Sequence, residues 1–344
     1  MGLQGKSEGA VKFLLVTAAL FVVLAGIKTA ATLLVPFLLS AFIAIICNPL
    51  VVKAGHYKIP KPIAVIFVIV LFVSIALSLA GLVGNSLNEL SQLIPEYRLQ
   101  LQDQFVWLTQ QLDNYNIKIS SALLIEYFDP AAAMGLAANM LSGLGGVMAN
   151  LFLIIITVIF MLFEASSVPH KLHLALDDPE ARLKQIDEFL ASVNNYLAIK
   201  TLVSIATGVC VSAMLWAFGL DFFLLWGVLA FLLNYIPNIG SIIAAVPAMS
   251  LAVLQLGPAA AGFIGLGYLT INTVMGNVVE PRYLGKGLGL STLVVFLSLI
   301  FWGWLLGTVG MLLSVPLTMV IKIALENSAE GRWFAVMLSS EEAQ

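Results

Sequence analysis

Apolar residues along this chain gather into long runs, at about 13–27, 30–47, 63–84, 141–163, 201–218, 222–236, 241–256, 259–276, 290–306 and 309–325. Short polar, glycine- or proline-containing breaks separate them. Such runs lack the alternation of barrel strands, so they predict helices, whose backbone groups are satisfied within one segment. A straight bilayer crossing takes roughly 20 residues, and several C-terminal runs fall short of that. Short paired runs predict re-entrant or broken helices, because irregular backbone survives at membrane depth only against protein or a water-filled cavity. The expected fold is an all-α polytopic membrane protein with about seven to eight transmembrane helices. Its re-entrant or broken helices are expected in the C-terminal half.

Two polar stretches carry a helical period of their own. Within residues 85–140, Leu87, Leu90, Ile94, Tyr97, Leu101, Phe105, Leu108 and Leu112 recur at spacings of three and four, with Pro95 marking a break or restart. Such a stripe serves packing on the membrane domain, or binding of a partner or the lipid interface. Within residues 164–200, Asp178 reads as an N-cap and Pro179 as the first helical position. Leu183, Ile186, Phe189, Leu190 and Val193 form the apolar face of that second, surface helix, which leads into the membrane after Lys200. The expected organisation is N-terminal membrane helices (1–84), an amphipathic extramembrane segment (85–140) and one membrane helix (141–163). A cytoplasmic polar segment (164–200), a C-terminal membrane core (201–326) and a cytoplasmic tail (327–344) complete it.

The positive charges orient these elements. Lys53, Lys58 and Lys61, with His56, mark one loop as cytoplasmic, Lys171, Arg182, Lys184 and Lys200 mark another, and Lys322 places the C-terminus on the same side. Both termini are therefore expected in the cytoplasm. Lys6 and Lys12 before Phe13–Ile27 resemble a signal peptide, but a second apolar run follows at once, so an uncleaved first helix is expected.

Composition narrows the chemistry. With 60% hydrophobic and 10% charged residues, the chain is far from a soluble domain, where about a quarter of residues are charged. A net charge of −3 and the lack of a basic tail give no reason for a nucleic-acid partner. Cys47 and Cys210 lie in apolar runs and read as buried free thiols. His170 and His173 share a helical spacing in a polar loop but lack the glutamate of a zinc motif. No glycine-rich phosphate loop is present, so neither a cofactor, a metal nor an enzymatic reaction is expected.

From Phe222 to Ile321 the only charged side chains are Glu280, Arg282 and Lys286. An ionisable group at bilayer depth loses hydration and is kept where it meets a partner or a wet cavity, which makes Glu280 and Arg282 pathway candidates. Asn272 and Asn277 precede them, and Pro281 with Gly285, Gly287 and Gly289 supplies hinge or turn positions that make regular helix unfavourable. In such a loop Glu280 and Arg282 meet as a charge-assisted pair, or Arg282 holds another carbonyl. The second constellation, Asn234 to Gly240 with Pro237 and Asn238, reads as the tip of a re-entrant pair whose amides meet a solute. The order Trp226-Gly227, Gly240, Pro247 is echoed by Trp302-Gly303, Gly310, Pro316. Gly303 and Gly307 form a small-residue pair suited to close helix packing.

Several motifs together resemble the autoinducer-2 exporter (AI-2E transporter) family of bacterial inner-membrane proteins. They are Leu34-Val35-Pro36-Phe37, Asn48-Pro49-Leu50, Asp129-Pro130, Asn234 to Gly240, Gly276-Asn277 with Glu280-Pro281-Arg282, and Gly287-Leu288-Gly289-Leu290-Ser291-Thr292 through Trp302-Gly303-Trp304 to Ser314-Val315-Pro316-Leu317. The resemblance covers almost the whole chain. It implies an inner-membrane exporter of autoinducer-2, a small, uncharged, polyhydroxylated signal, working among membrane lipids as a homo-oligomer, a pentamer by this likeness. Relatives are described as sodium or lithium ion/proton antiporters, so the resemblance also brings in a coupling proton or cation, with Glu280 as carrier carboxylate. A membrane scaffold that transports nothing is the third expectation.

Overall fold

The computed structural model describes residues 2–113, 150–165, 167–168, 171, 173, 179–237, 239–284, 290–326, 328 and 331–339. Among them the chain is almost wholly helical and contains no strand. The helices α1 (Gly2–Thr29) and α2 (Ala31–His56) are followed by α3 (Lys61–Asp113) and α4 (Leu151–Glu164). α3 runs unbroken through Pro95, where the sequence predicts a break. One missing backbone donor bends a helix without ending it when the flanking turns hold.

Then come α5 (Pro179–Phe218), α6 (Phe223–Leu233), α7 (Gly240–Leu256) and α8 (Pro258–Val274). α5 begins at Pro179, as its fixed φ favours, and stays helical for 40 residues. The surface helix and the membrane helix are thus one rod, with Lys200 inside it. A π-helical turn (Met275–Val279) carries α8 into α9 (Glu280–Leu284), and α10 (Thr292–Leu312), α11 (Ser314–Glu326) and α12 (Arg332–Leu338) close the chain. Ala31–His56, Lys61–Leu90, Ile186–Phe218 and Pro258–Tyr283 are long and apolar enough to cross a membrane. Thr292–Leu312 has the length as well, but it does not cross as one rod.

That exception is a hairpin. Gly307 has φ 70° and ψ −152°, a conformation open to glycine and strained for other residues, and the chain reverses there. Trp302 Nε1 consequently donates to Thr318 Oγ1 at 3.0 Å, although 16 residues separate them. A Cβ on Gly310 would fall 2.1 Å from the Trp302 carbonyl oxygen, and one on Gly303 2.7 Å from Met311. Gly303 therefore serves close packing across the reversal, whereas Gly307 makes the turn itself. The sequence pairing of these two glycines for helix packing is corrected accordingly.

α6 and α7 form the other short hairpin. At its base the Gln255 side chain accepts from the Asp221 N–H at 2.9 Å and donates to the Gly219 carbonyl at 3.2 Å. At its tip Ile236 and Gly240 turn the chain through bonds to Leu233 and Ile236 carbonyls, and a Cβ on Gly240 would lie 1.8 Å from the Leu233 carbonyl oxygen. The hairpin packs on α5 where glycine faces glycine: a Cβ on Gly227 would sit 1.7 Å from Ser212 Oγ, and one on Gly208 2.8 Å from the Gly227 carbonyl oxygen.

The two hairpins enter from opposite ends. Lys61 Nζ donates to the Phe163 carbonyl at 2.9 Å, so the start of α3 and the end of α4 share the lysine-rich end, and the first turns of α5 meet the ends of α2 and α4 around one cavity. The α10–α11 hairpin starts at that end, where Ser291 N–H donates to Leu338, and its Gly307 tip reaches Ala31–Pro36 and Ile154 at the other. The α6–α7 hairpin starts at the far end of α5 and points back. Trp226, Leu229, Leu251 and Ile264 bury it in one core, while Phe42, Val193, Leu305 and Val309 hold the other in a second.

Candidate functional site

The tip of the α6–α7 hairpin, the middle of α5, α8 and the π-helical turn enclose a cavity of about 460 Å³. Of the sequence-predicted pathway residues, Asn234, Pro237, Asn272, Asn277 and Glu280 line it. Gly240 closes the tip beside it, and Ser241 follows in the wall. Asn238, Gly285, Gly287 and Gly289 lie outside the described residues. Arg282 is exposed and is not part of the wall.

The partner of Glu280 is Lys200. Its Nζ donates to both carboxylate oxygens, at 2.8 and 2.9 Å, with the side chains only 5% and 17% exposed. The expected meeting of Glu280 with Arg282 does not occur. Helix continues through both, and two residues along a helix diverge in direction. Pro281, expected to open a loop, is absorbed by the wider π turn that precedes it.

Lys200 also changes the depth assigned to these charges. Eighteen residues separate it from Phe218 at the end of α5, about 27 Å along the axis. The hydrocarbon layer is about 30 Å thick. Along α5 the pair thus lies well away from Phe218, toward the lysine-rich end of the bundle. Breaking a buried pair by removing one partner costs about 3–5 kcal/mol, because it strands a charge.

The neighbouring turns of α5 bind the hairpin tip. Tyr235 Oη donates to Thr201 Oγ1 at 2.7 Å, which in turn donates to the Leu197 carbonyl at 2.7 Å. Asn234 Nδ2 donates to Ser204 Oγ at 2.9 Å. Lys200, Thr201 and Ser204 form one polar stripe at helical spacing in an otherwise apolar stretch, and the sequence reading missed them by placing Lys200 in a loop. Its signal was an isolated lysine flanked by Leu197, Ile199, Leu202 and Val203. The cavity therefore offers amides, hydroxyls and an internally neutralised ion pair at one end, and Ile242, Val246, Met249 and Leu269 at the other. No cluster of metal-ligating side chains occurs among the described residues.

Known proteins resemble this chain in sequence. Residues 14–330 match the AI-2E family transporters. The chain is 45% identical to the AI-2 transport protein TqsA of Escherichia coli over 328 residues, 95% of both chains. It is 44% identical to a candidate transport protein of Haemophilus influenzae over 96% of both, and 42% identical to the candidate transport protein YhhT of E. coli over 94% of this chain and 93% of that one. These relatives are transport proteins and not enzymes. With a polytopic helical fold, a match across nearly its whole length and identities well above 30%, the chain belongs to the AI-2E transporter family.

Proposed function

We propose that this protein is a secondary transporter of the bacterial inner membrane that exports autoinducer-2, with the cavity at the α6–α7 tip as the solute's site. The carrying observation is the wall itself: Asn234, Asn272 and Asn277 surround a Lys200–Glu280 pair that is already neutral as a unit. Amides donate and accept without a net charge, which suits an uncharged polyol. A relative named as an AI-2 transport protein supports the choice of solute. Lys200 occupies both Glu280 oxygens, so a cation carried there must first displace the ammonium group. This disfavours the antiport reading. We further place both termini in the cytoplasm, on the lysine-rich side.

Purified protein in vesicles decides the reading. Autoinducer-2 should cross faster than in protein-free vesicles, whereas sodium/proton exchange under the same conditions should stay at the protein-free rate. The reverse result would assign the antiport role, and no flux of either would leave the scaffold. For orientation, a reporter active only outside the membrane should work when fused at Asp113 and fail at Lys171.

A further inference from the structure

The π-helical turn leaves a backbone acceptor without its helical donor. Across it the Glu280 N–H donates to the Met275 carbonyl, five residues back instead of four. Continuing that register, the Gly276 carbonyl would accept from residue 281; in a four-residue register the Asn277 carbonyl would. Residue 281 is Pro281, which has no N–H to give. In either register at least one carbonyl of this pair is left without a helical donor. A regular turn would also press the proline ring against the carbonyl four residues back, which accounts for the widening.

Gly276 and Asn277 both line the cavity, and Gly276 has no side chain, so its share of the wall is backbone. The space beside its Cα is open: a Cβ there would meet nothing within 4 Å. Pro281 is exposed and outside the cavity wall. Unpaired carbonyls at membrane depth are tolerated where they face a cavity, and a strong acceptor left over there is available to a ligand donor.

Resting on the neutral-solute reading above, we propose that the carbonyl released by Pro281, that of Gly276 or Asn277, is a specificity-determining acceptor for a hydroxyl of the transported solute, which seats in the open space over Gly276. The solute class is then narrowed to small molecules that present a hydroxyl donor to bare backbone. Asn272 and Asn277 offer amides beside it.

Two variants test this in vesicles, with autoinducer-2 and an analogue lacking one hydroxyl as solutes. Pro281→Ala restores the N–H without altering a cavity-lining side chain. It should raise KM for autoinducer-2 about tenfold, the weight of one hydrogen bond in such a site. It should also shrink the discrimination against the deoxy analogue and leave thermal stability equal or higher. Gly276→Ala adds a methyl group to the open space, leaves the Lys200–Glu280 pair untouched, and should raise KM in the same way. Wild-type KM and discrimination in both variants would overturn the acceptor while wild-type transport kept the exporter reading intact. If wild-type protein carries no autoinducer-2, the exporter reading itself falls, and this inference with it.

Discussion

The two short hairpins share a plan and differ in what they carry. Each has a Trp-Gly on its first arm and a glycine opening its second, and in each that second glycine lies against a carbonyl of the first arm: Gly240 against Leu233, Gly310 against Trp302. The α6–α7 tip is polar, tied to Ser204 and Thr201 and set beside the Lys200–Glu280 pair. The α10–α11 tip turns on Gly307 and meets Val35, Pro36, Leu39 and Ile154, with Thr32 and Thr308 among them around a smaller cavity of about 340 Å³. Its arm is steadied from outside by Lys28 over the Trp304 ring, 4.2 Å from the centroid. One backbone device thus serves two ends of the molecule, and the polar residues at the tip distinguish the proposed solute site from the brace.

The largest effect should come from the buried Lys200–Glu280 pair that lies beside the tip of the first hairpin. Lys200→Met or Glu280→Gln alone should each destabilise the protein by about 3–5 kcal/mol, while the double variant should regain much of the loss, because no buried charge is left alone. Thermal unfolding in detergent reads this, and simple additivity would separate the two residues energetically.

Next are the tip glycines. Gly240→Ala and Gly310→Ala should each cost about 1–3 kcal/mol by overpacking. Only the first should also raise KM for the solute in those molecules that do fold. Equal effects on KM would erase the distinction between site and brace.

Single polar groups should do less. Asn234→Leu removes a cavity amide and its bond to Ser204, and flux at low solute should fall about tenfold. Thr308→Val at the other tip should leave it within about twofold, since that hydroxyl has no role in the proposed site. The smallest change is expected for Arg282→Ala, within about 0.5 kcal/mol of wild-type stability, as befits an exposed side chain. A loss as large as that of Lys200→Met would return Arg282 to the site.

Much of this was legible in the amino-acid order. Runs too short to cross correspond to the short hairpin arms, Pro179 marks the start of α5, and Asn234, Asn272, Asn277 and Glu280 stand out in the sequence and line one cavity. What stayed hidden depends on distance in three dimensions. The partner of Glu280 lies 80 residues away at Lys200, and a proximity rule naturally chose Arg282 instead. Gly307 was read as a packing glycine because a positive φ leaves no mark in composition. Pro281 was read as a loop former because widening a helix and breaking it begin from the same missing N–H.

The length of α5 has a mechanical consequence. Its 40 residues span about 60 Å, twice the hydrocarbon thickness, and it is pinned to the hairpin where Gly208 meets Gly227. About that fulcrum the arm to Pro179 is about 43 Å and the arm to Lys200 about 12 Å. A tilt of about ten degrees that swings the projecting end by about 8 Å therefore shifts Lys200 by about 2 Å, enough to open a 2.8 Å contact with Glu280. A tilt of α5 about that contact would thus act as a lever, with its short arm ending on the ion pair and its long arm at Pro179.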